Sequence, residues 1–240
     1  MFALQASIGS LNDLVDATLD AGHKPGKPIP RGQASPHDAR VIVALGLALG
    51  LTLTWPSGVA ATGVALAGIA CGYVYDLRMS RTAWSWLPFA IALPLVPMYA
   101  WFGATANAPG ALLELIPIGV LAGAGLALAN GLADLERDDA GGVQTAAVRL
   151  GQHRAWILHA GLLVAAMGFA FIELPRGGAS DGSMVGLPGL GLVLGAVLVA
   201  TGIAIGRDGG PLRRERAWEL EAIGVAVVGA GWVAGVAGLA

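Results

Sequence analysis

Seven stretches of this chain are apolar and long enough to cross a lipid bilayer, over approximately residues 40–56, 58–75, 84–104, 110–133, 155–174, 185–206 and 216–240. A backbone in hydrocarbon has no water to pair with, so each crossing must be helical and about 20 residues long. The expected fold class is therefore all-α, a polytopic transmembrane helix bundle. Glu114 is the only acid well inside one of these blocks, and it lies within a turn of an end. Charged residues make up 12% of the 240 positions and the mean hydropathy is +0.69, whereas a soluble domain carries roughly 25% charged residues. A soluble enzyme, a disordered tail and a nucleic-acid binder, which needs a basic face, are excluded. The single cysteine, Cys71, cannot pair within the chain, which excludes a disulfide scaffold.

An eighth apolar stretch, Met1 to Leu11, would reach only about 16 Å at 1.5 Å per residue, half the bilayer core. It carries neither the basic start nor the cleavage site of a signal peptide. The expectation is thus seven full spans plus a partial first helix. Assigning the loops alternately to two sides puts 13 of the 14 basic residues on one side, in segments 20–40, 76–83, 134–154 and 207–216; Arg176 alone falls opposite. The positive-inside rule then places those loops in the cytoplasm and the C-terminus outside, in a multi-pass protein of the cell membrane. Trp55, Trp84, Trp86, Trp101, Trp156 and Trp218 fall near predicted helix ends, where indole rings favour the headgroup layer.

The acids repeat. N-D-L-V-D-A-T-L-D-A-G begins at Asn12 and N-G-L-A-D-L-E-R-D-D-A-G at Asn130, an offset of 118 residues. Both contain N-x-L-x-D-x-x-x-D at the same end of an apolar helix, so the chain reads as one transmembrane domain over 1–240 with two parallel pseudo-repeats, approximately 1–109 and 110–240. Residues at i, i+4 and i+8 lie within about 80° on one helical face. Asn12, Asp16 and Asp20 therefore form one acidic ridge, and Asn130, Asp134 and Asp138 another. Carboxylates gathered beside hydrocarbon repel each other unless a cation lies between them. Mg²⁺, a hard ion that combines a few carboxylates with substrate phosphate oxygens, suits this donor set. A lone D-x-x-x-D usually marks only a solvated helix end; two matched copies, each with Asn four residues earlier, are a different matter.

Cations flank the ridges. Lys24, Lys27 and Arg31 follow the first, and Arg78 and Arg81 stand in the intervening loop Y-D-L-R-M-S-R-T. Together they offer the donors that a pyrophosphate requires. His23, His37, His153 and His159 lack ligand spacing and read as loop or interface residues.

At these motifs the chain resembles the UbiA superfamily of intramembrane prenyltransferases. Asn12, Asp13, Asp16 and Asp20 match the family's N-D-x-x-D-x-x-x-D, and Asp134 and Asp138 its second D-x-x-x-D; K-P-I-P-R-G at Lys27–Gly32 and A-G-G-V-Q-T-A-A-V-R-L-G at Ala140–Gly151 are also similar. The resemblance implies a nine-helix bundle and Mg²⁺-dependent transfer of an isoprenyl group from a prenyl diphosphate to an aromatic or other lipophilic acceptor, through an allylic cation. It implies Asp13, Asp16, Asp20, Asp134 and Asp138 as metal ligands, Asp16, Asp20, Asp134 and Asp138 being catalytic, and Lys27, Arg31, Arg78, Arg81, Asn12 and Asn130 as diphosphate-binding residues. Two departures stand out. Only eleven residues precede Asn12, so the family's first helix and half of its second are expected to be missing. Where some members have Y-x-x-x-K, Tyr75 is followed by Met79, leaving Arg78 or Arg81 to stand in. A cation-binding transporter and an inactive shortened paralogue serving as an assembly partner are the alternatives; ridges at one membrane surface rather than the midplane weigh against transport.

Overall fold

The seven apolar stretches all form helices, with boundaries within five residues of those expected from hydropathy. The computed structural model describes residues 1–23, 26–105, 110–173 and 186–237; Lys24 and Arg176 lie outside them. The long helices are α1 (Phe2–His23), α2 (Pro36–Thr54), α3 (Val59–Val74), α4 (Trp86–Ala104), α5 (Leu115–Ala133), α8 (Gln152–Ile172), α9 (Leu187–Gly206) and α10 (Pro211–Ala237), with the short α6 (Leu135–Ala140) and α7 (Ala146–Leu150) between α5 and α8. No strand occurs among the described residues. Helix starts follow local chemistry. Ser35 caps α2 reciprocally, its Oγ accepting from the Asp38 amide at 3.1 Å while Asp38 Oδ2 accepts from the Ser35 amide at 2.8 Å, with Pro36 opening the first turn. Gly151, at φ 74°, makes the sharp turn from α7 into α8 that a side chain would strain.

Helix α5 is the centre of the bundle, packing against α4, α8 and α10, while α1 lies on α2 and α9 on α10. Close approach depends on glycine, because lipid tails are as apolar as leucine and helices associate mainly through tight packing. A Cβ at Gly195 would stand 2.5 Å from the Gly224 carbonyl oxygen, and one at Gly123 would stand 2.4 Å from that of Phe89. These positions lock α9 to α10 and α5 to α4.

The apolar start of the chain runs into the first acidic ridge as one continuous 22-residue helix, as the ridge reading requires. The structure departs from the expected organisation elsewhere. Residues 75–79, at the start of an expected loop, extend α3 as a π-turn, in which the Ser80 amide donates to the Tyr75 carbonyl at 2.8 Å. The second ridge does not lie on one unbroken helix. Asp134 leaves the helical region at φ −97° and ψ 4°, ending α5 and opening α6, although the Asp138 amide still donates to its carbonyl at 2.9 Å. Glu114, 3₁₀-helical at the start of the fourth span, is exposed, and the deeply enclosed acid is instead Glu221 of α10, 1% exposed. It meets His159 of α8, 2% exposed, at 3.4 Å, so His159 belongs to the interior. A carboxylate and an imidazole can be enclosed there because each supplies the other's partner.

Candidate functional site

The two acidic motifs, 118 residues apart, face one another across a single polar cavity of about 190 Å³. Asn12, Asp16 and Asp20 reach it from α1; Asn130, Asp134 and Asp138 reach it from the α5–α6 junction. Helical wrapping on α1 and the break at Asp134 turn each trio inward. Lys27, Arg81 and Arg137 also line the cavity, together with the hydroxyls of Ser80, Ser85 and Thr145.

Charge balance explains how these acids coexist. Lys27 Nζ lies 2.7 Å from Asp20 Oδ2 and 3.0 Å from Asp13 Oδ1, and donates to Asn12 Oδ1 at 3.2 Å. Arg81 Nη2 stands 2.8 Å from Asp16 Oδ1, and Arg137 pairs with Asp134. Partial burial alone would lower the Lys27 pKa. Hydrogen bonds to Asp20 and Asp13, and the charges of both carboxylates, outweigh that and hold the ammonium above its ordinary 10.5. Asn12 Nδ2 donates to Asp16 Oδ2 at 3.3 Å and to Asp76 Oδ1 at 3.1 Å, tying the first ridge to the π-turn below α3.

Beside this chamber, α1, α3 and α4 enclose an apolar groove of about 410 Å³. Asn12, Tyr75 and Phe89 line both spaces, so the polar cavity and the groove lie side by side at these residues. The Tyr75 and Phe89 rings meet edge to face at that junction, 5.0 Å apart and 85° inclined.

The residues singled out in the sequence divide clearly. Asn12, Asp16, Asp20, Lys27, Arg81, Asn130, Asp134 and Asp138 line the polar cavity. Asp13 stands behind it, engaged with Lys27. Arg31 and Arg78 are exposed and line neither space, so of the two arginines in the Y-D-L-R-M-S-R-T segment the cavity takes Arg81. Two participants are not evident from the motifs: Arg137, inside the second motif, and Asp76, 4% exposed, with Oδ2 lacking a hydrogen-bond partner. Arg137 follows Asp134 by three residues, a spacing that could have flagged the pair. No hydropathy pattern could have shown Asp76 inside rather than in a loop.

Among the described residues no three His, Cys, Asp or Glu side chains are gathered closely enough to form a protein-only metal cage. The donor set nevertheless fits Mg²⁺, which commonly takes one or two carboxylates and completes its shell with phosphate oxygens and water. Asp16, Asp20, Asp134 and Asp138 supply hard oxygen donors from two sides of one chamber.

The model of the UbiA prenyltransferase family matches residues 1–220. The chain belongs to that family. With its seven apolar helices, this UbiA family member is a multi-pass membrane protein. It is 31% identical over 152 residues to digeranylgeranylglyceryl phosphate synthase from Sulfolobus acidocaldarius, covering 62% of this chain and 54% of that protein. The chain spans about half the length of the curated relatives it matches. Its fold resembles the apo structure of a UbiA homolog from Aeropyrum pernix K1, with a TM-score of 0.75, 19% identity, and coverage of 95% of this chain and 84% of that one. A UbiA homolog from Archaeoglobus fulgidus, bound to GPP and Mg²⁺, is similar at a TM-score of 0.65 and 17% identity, covering 97% of this chain and 84% of that one.

Proposed function

We propose that this chain transfers an isoprenyl group from a prenyl diphosphate to an aromatic or other lipophilic acceptor in the bilayer, with Mg²⁺ as cofactor. The observation that carries this reading is the junction: a chamber lined by both acidic motifs shares Asn12, Tyr75 and Phe89 with an apolar groove beside it. A charged head and a greasy tail fit that sequence of environments. Family membership and a homologous fold bound to GPP and Mg²⁺ support it.

Carboxylates from Asp16, Asp20, Asp134 and Asp138, one or two to an ion, would hold Mg²⁺, which when bound supplies positive charge to the diphosphate oxygens. Lys27, Arg81 and Arg137 neutralise the leaving group, while Asn12 and Asn130 orient it. Asp13 acts through Lys27. As the donor's C–O bond breaks, its electron pair departs with the diphosphate. The allylic cation left at the junction lies near the Tyr75 and Phe89 rings, whose π-faces favour positive charge. The acceptor's nucleophile bonds to that carbon and releases a proton. The groove excludes water, which would otherwise capture the cation.

We read the chain as one domain of two parallel halves, its acidic motifs in the cytoplasm and its C-terminus outside. The test is transfer from labelled prenyl diphosphates to a panel of phenolic and lipid acceptors, by protein in lipid nanodiscs, with Mg²⁺ or chelator. Mg²⁺-dependent product is expected. Cation flux across liposomes without any product would favour the transporter reading instead.

A further inference from the structure

We infer that Tyr99 is the stop at the far end of the groove, that it limits the prenyl tail to three isoprene units, and that the bare surface of Gly68 leaves the third unit its space. This rests on the donor assignment proposed above.

Two helices that line the groove along its length agree on its depth. From Phe89 at the junction to Tyr99 is ten residues of α4, and from Tyr75 to Val64 is eleven residues of the α3 arm. At 1.5 Å per residue the counts give roughly 15–17 Å. An extended isoprene unit advances through four carbon–carbon bonds, about 5 Å, so about three units span the distance.

Tyr99 is built to hold its place. Its hydroxyl meets Thr54 Oγ1 at 2.8 Å, and Thr54, 2% exposed, donates onward to the Gly50 carbonyl at 2.7 Å. Its ring packs against the buried cluster of Leu4, Ala65 and Ile69. Swinging the ring aside would break its hydrogen bond to Thr54 and strip it from that cluster, so a longer tail does not simply displace it. Gly68 occupies the opposite situation. It lines the groove seven residues beyond Tyr75, roughly 10 Å from the junction, and nothing lies within 4 Å of where its Cβ would stand. A side chain there would project into free space and close the groove after two units.

The experiment is equilibrium binding of prenyl diphosphates of one to five units, with Mg²⁺, to the protein in nanodiscs. For the unaltered chain affinity should climb with each unit up to the third and then level off. Tyr99→Ala should let the fourth unit add at least about tenfold, and Gly68→Leu should make a three-unit donor no tighter than a two-unit donor. Gly68→Leu adds bulk to open space and leaves the packing around Tyr99 intact, so it reads the groove even if Tyr99→Ala fails to fold. An identical length profile for the unaltered protein and both variants would overturn the inference while leaving the donor assignment standing. Absence of Mg²⁺-dependent donor binding by the unaltered protein would overturn both.

Discussion

The ammonium of Lys27 lies 2.7 Å from Oδ2 of Asp20, and the same nitrogen also engages Asp13 and Asn12. A loop lysine thus holds the first acidic ridge together by satisfying two carboxylates at once. It competes with a metal for Asp20 and offers donors to a diphosphate.

Those two roles have opposite signs. Lys27→Met should let Mg²⁺ alone bind more tightly, while prenyl diphosphate binding weakens by about 10- to 100-fold, the usual value of a hydrogen bond to a charged group. Calorimetry at neutral pH, with Lys27→Arg as the charge-keeping control, measures both. Because its folded pKa is raised, Lys27 contributes stability below its unfolded value near 10.5 and loses it as pH climbs through the folded value. The effect belongs to alkaline solution, so neutral-pH binding reports the ion pairs intact.

A second ion pair fastens α10 to α6 outside the chamber. Arg214, 3% exposed at its side chain, pairs with the half-exposed Glu136. The Arg214 hydrogen bond is the main reason the Glu136 carboxyl is held below its usual 4.5. A depressed carboxyl pKa stabilises the fold above the unfolded value, and the gain disappears as pH falls through the folded value. Unaltered protein should therefore melt higher than Glu136→Gln at pH 7, and the gap should close as the pH is lowered well below 4.5. A pH-independent gap would show that the pair's charge is irrelevant.

Inside the bundle, His159 and Glu221 each keep one buried polar atom, Nδ1 and Oε2, without a hydrogen-bond partner. Glu221→Leu alone leaves the imidazole without its acceptor and should cost about 1–3 kcal/mol. Converting both residues to leucine should recover most of that loss, since an apolar pair of similar volume often equals a buried polar one. Thermal unfolding in detergent of the two single variants and the double variant measures the coupling.

What could be read from the sequence was local. Seven spans are visible because 20 apolar residues in a row have few other solutions. The facing of Asp16 and Asp20 follows from four-residue spacing on α1, which stays helical through both. The rest depended on long-range packing or a broken period. Asp134 interrupts its helix, so the second ridge reaches the chamber from a junction of two helices that regular spacing does not show. The π-turn at Tyr75–Met79 carries Asp76 inward from a segment that hydropathy marks as loop. Glu221 gives no local sign of enclosure, because its partner, His159, is 62 residues away. Arg31 and Arg78 belong to the basic loops that the charge rule counts, yet they are exposed and do not line the chamber.

The central claim is that both ridges hold one metal–diphosphate head between them. It is tested most directly by Mg²⁺-dependent binding of a three-unit prenyl diphosphate to unaltered protein, Asp20→Ala and Asp138→Ala, one change from each ridge. Each variant should reduce affinity by at least about 10-fold, and chelation should bring the unaltered protein down to the same level. If either ridge could be neutralised without loss, or if chelation had no effect, the head would not lie between the two motifs.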